Sequence, residues 1–190
     1  MSTIATINGT DAADTITFTD TSTTVNAGEG ANTITATLGN NHITAGDGAD
    51  TITLTSGNNT IEAAGGVNTI VATTGNNSIT TGDGADTITV STGNNTIHAG
   101  GGANTITASS GNNSITAGDG ADTITTSGLA DGGNTINAGD GANTITTGAG
   151  NDTITGGSGV DTVTTGAGND VVYGGNGANT ITTGAGNDTV

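Results

Sequence analysis

The chain has 190 residues, no Lys or Arg against 17 Asp and Glu for a formal charge of −17, and one Phe, one Tyr, one Met, no Trp and no Cys. So few large apolar side chains exclude a conventional globular interior, and the lack of Cys excludes disulfides and thiolate metal sites. A charge with no internal counterweight predicts neutralisation by bound cations, and it disfavours nucleic acid and anionic membrane as partners.

The chain opens on Met1-Ser2-Thr3-Ile4-Ala5-Thr6, with no basic stretch running into an apolar one. No ordinary secretory signal is read there, and no later run is apolar enough to span a membrane. From Ile7 an aliphatic residue returns every nine positions through Ile16, Val25, Ile34 and onward to Val172, Ile181 and Val190. Counted as the eighth place of nine, it is flanked by Thr in most units. That predicts a short strand with one side chain inward and two outward. The preceding Gly-x-Gly predicts a tight turn at positive φ. Thirty-six Gly without Pro would suit a flexible linker, but these stand at fixed places, so disorder is expected of the metal-free chain only.

The octapeptide Gly-Asp-Gly-Ala-Asp-Thr-Ile-Thr occurs unchanged at 46–53, 82–89 and 118–125. A period of nine, with eighteen and thirty-six built on it, predicts stacked coils of two units, with strands alternating between two faces. The expected fold is all-β: a parallel β-roll or β-solenoid of about ten 18-residue coils in a single domain over 1–190, roughly 50 Å long at about 4.8 Å per coil. The segment Thr126–Asn137 holds twelve residues where nine are expected. This three-residue insertion around Leu129-Ala130-Asp131 reads as a bulged turn, not a domain boundary.

Units of the same parity form columns with different chemistry. At the sixth place one column alternates strictly: Asp14, Asn32, Asp50, Asn68, Asp86, Asn104, Asp122, Asn143, Asp161, Asn179. The other runs Thr23, Asn41, Asn59, Asn77, Asn95, Asn113, Asn134 and then Asp152, Asp170, Asp188.

These turns resemble the haemolysin-type, or RTX, nonapeptide Gly-Gly-x-Gly-x-Asp-x-aliphatic-x. Gly156–Thr164 matches at every defined place, and the units beginning at Thr147, Thr165 and Thr183 miss only the first Gly. The resemblance implies a calcium-bound parallel β-roll with several Ca2+ ions held between successive turns by the sixth-place Asp and turn carbonyls. It implies ligand roles for Asp14, Asp50, Asp86, Asp122 and Asp161 in one column and for Asp152, Asp170 and Asp188 in the other. Hard cations want clustered oxygens, and glycine-rich turns expose their carbonyls. Where Asn replaces Asp, the neutral oxygen points to a weaker, shared or empty site; for Asn41 through Asn134 a hydrogen-bonded side-chain ladder is expected instead of calcium. Asp11, Asp47, Asp83 and Asp119 stand three residues before sixth-place Asp and join the candidate metal ligands. They read either as a solvated acidic edge or as extra calcium sites bridging neighbouring molecules.

Catalysis is not expected. His42 and His98 fall at different places of the repeat, three coils or about 14 Å apart, and Ser residues have no general base nearby. At the ninth place of one column Glu62, His98, Asn137 and Tyr173 come on alternate coils, either as drift on a solvated face or as a repeating lateral contact.

The pattern runs from Ile7 to a final unit that stops at Val190. Terminal coils without polar caps would expose strand edges and invite end-to-end stacking into filaments. The resulting expectation is a secreted bacterial calcium-binding structural protein, leaving by a type I system as the resemblance implies, that assembles head to tail with copies of itself into an extracellular filament or surface layer. A rival of another class is an ice-binding β-solenoid, because outward Thr pairs such as Thr33/Thr35, Thr51/Thr53, Thr87/Thr89 and Thr105/Thr107 resemble antifreeze arrays.

Overall fold

The structure is a computed structural model, and it describes residues 5–19, 22–128 and 132–190. One sheet contains β1 (Ala5–Asn8), β3 (Thr23–Gly28), β5 (His42–Ala45), β7 (Thr60–Ala63), β9 (Ser78–Thr81), β11 (Thr96–His98), β13 (Ser114–Thr116), β15 (Thr135–Asn137), β17 (Thr153–Thr155) and β19 (Val171–Tyr173). The other contains β2 (Thr15–Phe18), β4 (Thr33–Ala36), β6 (Thr51–Leu54), β8 (Thr69–Thr74), β10 (Thr87–Thr92), β12 (Thr105–Ala108), β14 (Thr123–Thr126), β16 (Thr144–Thr147), β18 (Thr162–Thr164) and β20 (Thr180–Thr182). Consecutive strands thus alternate between two parallel ten-stranded sheets. The expected β-solenoid of about ten coils is what forms.

Register follows the repeat. Ile34 stands beside Ile52 and Ile52 beside Ile70, eighteen residues on each time. Across the insertion the offset becomes twenty-one, with Ile115 beside Ile136 and Ile124 beside Ile145, and the same place of the repeat still meets its counterpart. Leu129, Ala130 and Asp131, where a bulged turn is expected, lie outside the described residues.

The interior differs from the expectation in one respect. A strand alternates sides every residue, so the position two beyond the eighth-place aliphatic also faces inward. In β6 both Ile52 and Leu54 are fully buried, in β10 Ile88 and Val90, and Ala36, Ala72 and Ala108 close the same row elsewhere. Two inward rows therefore make the core, not one. Two residues before the aliphatic, the sixth-place Asn or Asp is buried as well, as at Asn32, Asp50 and Asn68. Places six, eight and ten of the count thus share one inward face, and the sixth-place polar groups line the corners of the interior.

The turns bring successive coils close enough to require Gly. Gly118 has φ of 98°, and a Cβ added there would fall on the Gly100 carbonyl one coil earlier. An L side chain would meet both an unfavourable conformation and a steric overlap.

Candidate metal centres in the turns

Because the sixth-place side chains point inward at the corner, each reaches the neighbouring coil. In the alternating column each Oδ1 from Asn32 onward accepts the backbone N–H of its counterpart one coil earlier: Asp14 donates to Asn32 at 2.9 Å, Asn32 to Asp50 at 2.8 Å, Asp50 to Asn68 at 3.0 Å, Asn68 to Asp86 at 2.7 Å and Asp86 to Asn104 at 3.0 Å. The chain continues through Asp122, Asn143 and Asp161 to Asn179. The second column does the same from Thr23 to Asp188. Asn and Asp are interchangeable for this bond, since both offer Oδ1.

They are not interchangeable at the second terminal atom. The Asn32 amide donates to the Gly30 carbonyl at 3.0 Å and the Gly28 carbonyl at 3.2 Å of its own turn. Asn77 and Asn95 do the same to Gly75 and Gly93, both at 2.9 Å. Where Asp stands, that position holds Oδ2, which has nothing to donate. The Oδ2 atoms of Asp50, Asp86, Asp122, Asp152, Asp161 and Asp170 are buried and have no hydrogen-bond partner. An unpaired buried anion facing carbonyl oxygens is costly, and a proton or a cation resolves it.

The Gly156 site shows the oxygen lining directly. A Cβ built there would lie 2.6 Å from the Gly174 carbonyl and 2.7 Å from Asp161 Oδ2. Carboxylate and carbonyl oxygens converging on a Gly-lined cradle suit a hard cation. Desolvation by burial raises the carboxyls of Asp50, Asp86, Asp122 and Asp152 above the usual Asp value, the direction expected when no positive charge compensates them.

The predicted ligands fall into distinct settings. Asp14 is only half-buried, and its Oδ2 accepts from the Thr10 backbone at 2.6 Å and from its hydroxyl at 2.9 Å. Asp188 contributes Oδ1 to the Asp170 N–H at 3.0 Å. Asp11, Asp47, Asp83 and Asp119 are exposed on the outer rim, whereas Asp50, Asp86 and Asp122, three residues after the last three of them, are buried. Asp47 is tied to that rim: its N–H donates to Glu29 Oε2 at 2.9 Å and its Oδ1 accepts from Gly65 at 3.0 Å. Among the described residues no three His, Asp or Glu side chains converge. A cation in these turns would therefore draw most of its oxygens from the backbone.

The chain belongs to the RTX calcium-binding nonapeptide repeat family. Its family model, written for four copies of the repeat, matches residues 26–61, 62–97, 98–128, 130–163 and 155–190. RTX repeats bind several Ca2+ ions and are typical of proteins exported by bacterial type I systems. No curated protein and no solved structure matches the chain.

Within this RTX stack the Asn-bearing turns form the expected ladder. Asn41 donates its amide to Asn59 Oδ1 at 3.0 Å, and Asn59 to Asn77, Asn77 to Asn95 and Asn95 to Asn113 repeat the distance. A second, exposed ladder runs beside it, in which the N–H groups of Asn58, Asn76, Asn94 and Asn112 each donate to the Oδ1 of the Asn one coil before. Two features escaped the sequence reading. One is the inward direction of the sixth place, whose signal was its two-residue offset from the aliphatic. The other is the pair of buried hydroxyls of Thr147 and Thr165, each five residues ahead of a buried Asp and each without a partner.

Proposed function

We propose that this chain is a structural module, folded by calcium outside the bacterial cell. The observation that carries the reading is the set of six buried Oδ2 atoms standing where an Asn amide would donate. Asp50, Asp86, Asp122 and Asp161 would hold calcium in one column with the carbonyls of their turns, and Asp152, Asp170 and Asp188 would do so in the other. Bound calcium supplies the positive charge that this Lys- and Arg-free chain lacks. Where calcium is scarce, repulsion and desolvation oppose folding; where it is abundant, binding is coupled to folding. The asparagine ladders take over that role without a metal in the turns from Asn41 to Asn134.

The form of the structural role that we favour is assembly of copies end to end. The outer edges of β1 and β2 carry the same backbone donors and acceptors with which the interior strands pair, so the outer edge of β20, and that of the Thr189 segment that already pairs with Val171 of β19, would meet them in a second copy. The exposed Asp47, Asp83 and Asp119 offer places for calcium to join such stacks side by side. The role requires no catalysis, and His42 on β5 and His98 on β11 stand three coils apart in one sheet.

Electron microscopy in millimolar calcium and after chelation tests this. Fibres that form with calcium and disappear with chelator are expected. Folded monomers in calcium would remove the assembly and leave calcium folding in place.

A further inference from the structure

The two sheets present different outer faces. On the sheet that begins with β2, the residue before each aliphatic is Thr in all ten coils: Thr15, Thr33 and Thr51 start a rank that runs in direct register to Thr180, and every member is exposed. The residue after the aliphatic forms a second rank from Thr17 to Thr182, in which Val71 alone replaces Thr. The next outward position adds hydroxyls in a third rank, Thr37, Thr55 and Thr73 and then Ser91 and Ser109. On the opposite sheet the equivalent ranks are broken by His42, Glu62, His98, Asn137 and Tyr173. In a chain of charge −17, the threonine face carries no charged side chain.

This distribution is not required by folding. The opposite sheet tolerates varied residues outward, whereas this one keeps a methyl and a hydroxyl at every point of its first two ranks except Val71. The spacing is about 4.8 Å between strands and about 6.6 Å along each strand, over roughly 43 Å of stack. With no aromatic platform for a sugar and no charge or large apolar anchor for a protein, the face offers nothing to an irregular partner. It offers regularity, on a scale close to the water repeats at the surface of ice. The methyls would hold water molecules off the sheet and the hydroxyls would fix them in rank.

We propose that the threonine face of the β2 sheet binds ice. The site rests on the calcium-folded stack proposed above, but not on its assembly into filaments. Purified protein in calcium is assayed for thermal hysteresis and for adsorption of a fluorescent conjugate to a growing ice surface. The variants are Thr87→Tyr with Thr105→Tyr on this face, and Thr80→Tyr with Thr116→Tyr on the opposite one, each checked for an unchanged β spectrum. Hysteresis and ice adsorption are expected in the unaltered protein, lost in the first variant and retained in the second. A folded protein that neither adsorbs to ice nor shows hysteresis overturns the proposal, as does equal loss in both variants. Fibre formation and calcium-induced folding are read separately, so failure here leaves them untouched.

Discussion

Asn68 gives its backbone N–H to Oδ1 of Asp86, one coil on, at 2.7 Å, while Oδ2 of the same Asp86 is buried without a partner. One oxygen serves the stack as an Asn oxygen would; the other must wait for a positive charge. The sixth-place Asp thus serves the stack through one oxygen and, in the proposed function, calcium through the other.

Replacing that waiting oxygen by an amide separates the two roles. Asp86→Asn keeps Oδ1 for the Asn68 N–H and lets Nδ2 donate into the turn, as Asn77 does to Gly75. The variant is expected to gain about 1–3 kcal/mol of stability in chelator and to bind fewer calcium ions. Circular dichroism in chelator, where the variant should hold more β structure than the unaltered chain, and calorimetric counting of ions in calcium check both halves.

Acid should act as a partial substitute for metal. Burial raises the carboxyls of Asp50, Asp86, Asp122 and Asp152, so the metal-free folded state holds protons more tightly than the unfolded chain. Stability in chelator is then greatest below the unfolded Asp value of about 3.9 and falls as pH rises through the raised folded values. Circular dichroism in chelator between neutral and acid pH should show β structure growing on acidification; growth on going alkaline would contradict the account.

The Asn ladder predicts the opposite sensitivity. Asn77 Oδ1 accepts both the N–H and the amide of Asn59, each at 3.0 Å, and its amide serves Gly75. Asn77→Leu should therefore cost roughly 1–3 kcal/mol for each buried group left unpaired, with no change in the number of calcium ions bound. Thermal melts and ion counting on the same sample decide it.

Core and turn contributions are separable too. Ile97 is fully buried between the sheets, and Ile97→Ala should destabilise the calcium-bound protein by about 2–5 kcal/mol. Gly118→Ala forces a side chain into positive φ and onto the Gly100 carbonyl. The conformational strain alone is worth about 1–3 kcal/mol, and the overlap should part neighbouring coils, seen as faster hydrogen exchange at Gly100–Gly120.

Much of this was legible because the chain repeats. A fixed aliphatic every nine residues gave the strands, their parity and their stacking, and the register bears that out at Ile34, Ile52 and Ile70. The second inward row was not read because its residues share no identity: Phe18, Ala27, Leu54, Thr81 and Val90 occupy equivalent places. Only strand alternation, applied two residues past the aliphatic, reveals them. The same alternation applied backwards turns Asp50 inward, whereas composition alone groups it with Asp47, which the turn sends to the outer rim. The unbroken Thr rank on one sheet was visible in pieces but acquired its meaning from register, since only a shared edge-to-edge alignment makes ten separate Thr a surface.

The measurement that bears most directly on the account is far-UV circular dichroism of the whole chain, taken from chelator into rising calcium at neutral pH and low protein concentration, with bound ions counted in parallel. The account predicts a largely disordered spectrum that converts to β structure as several ions bind, with the two curves superimposed. An identical β spectrum in chelator and in calcium, with no ions taken up, would contradict it.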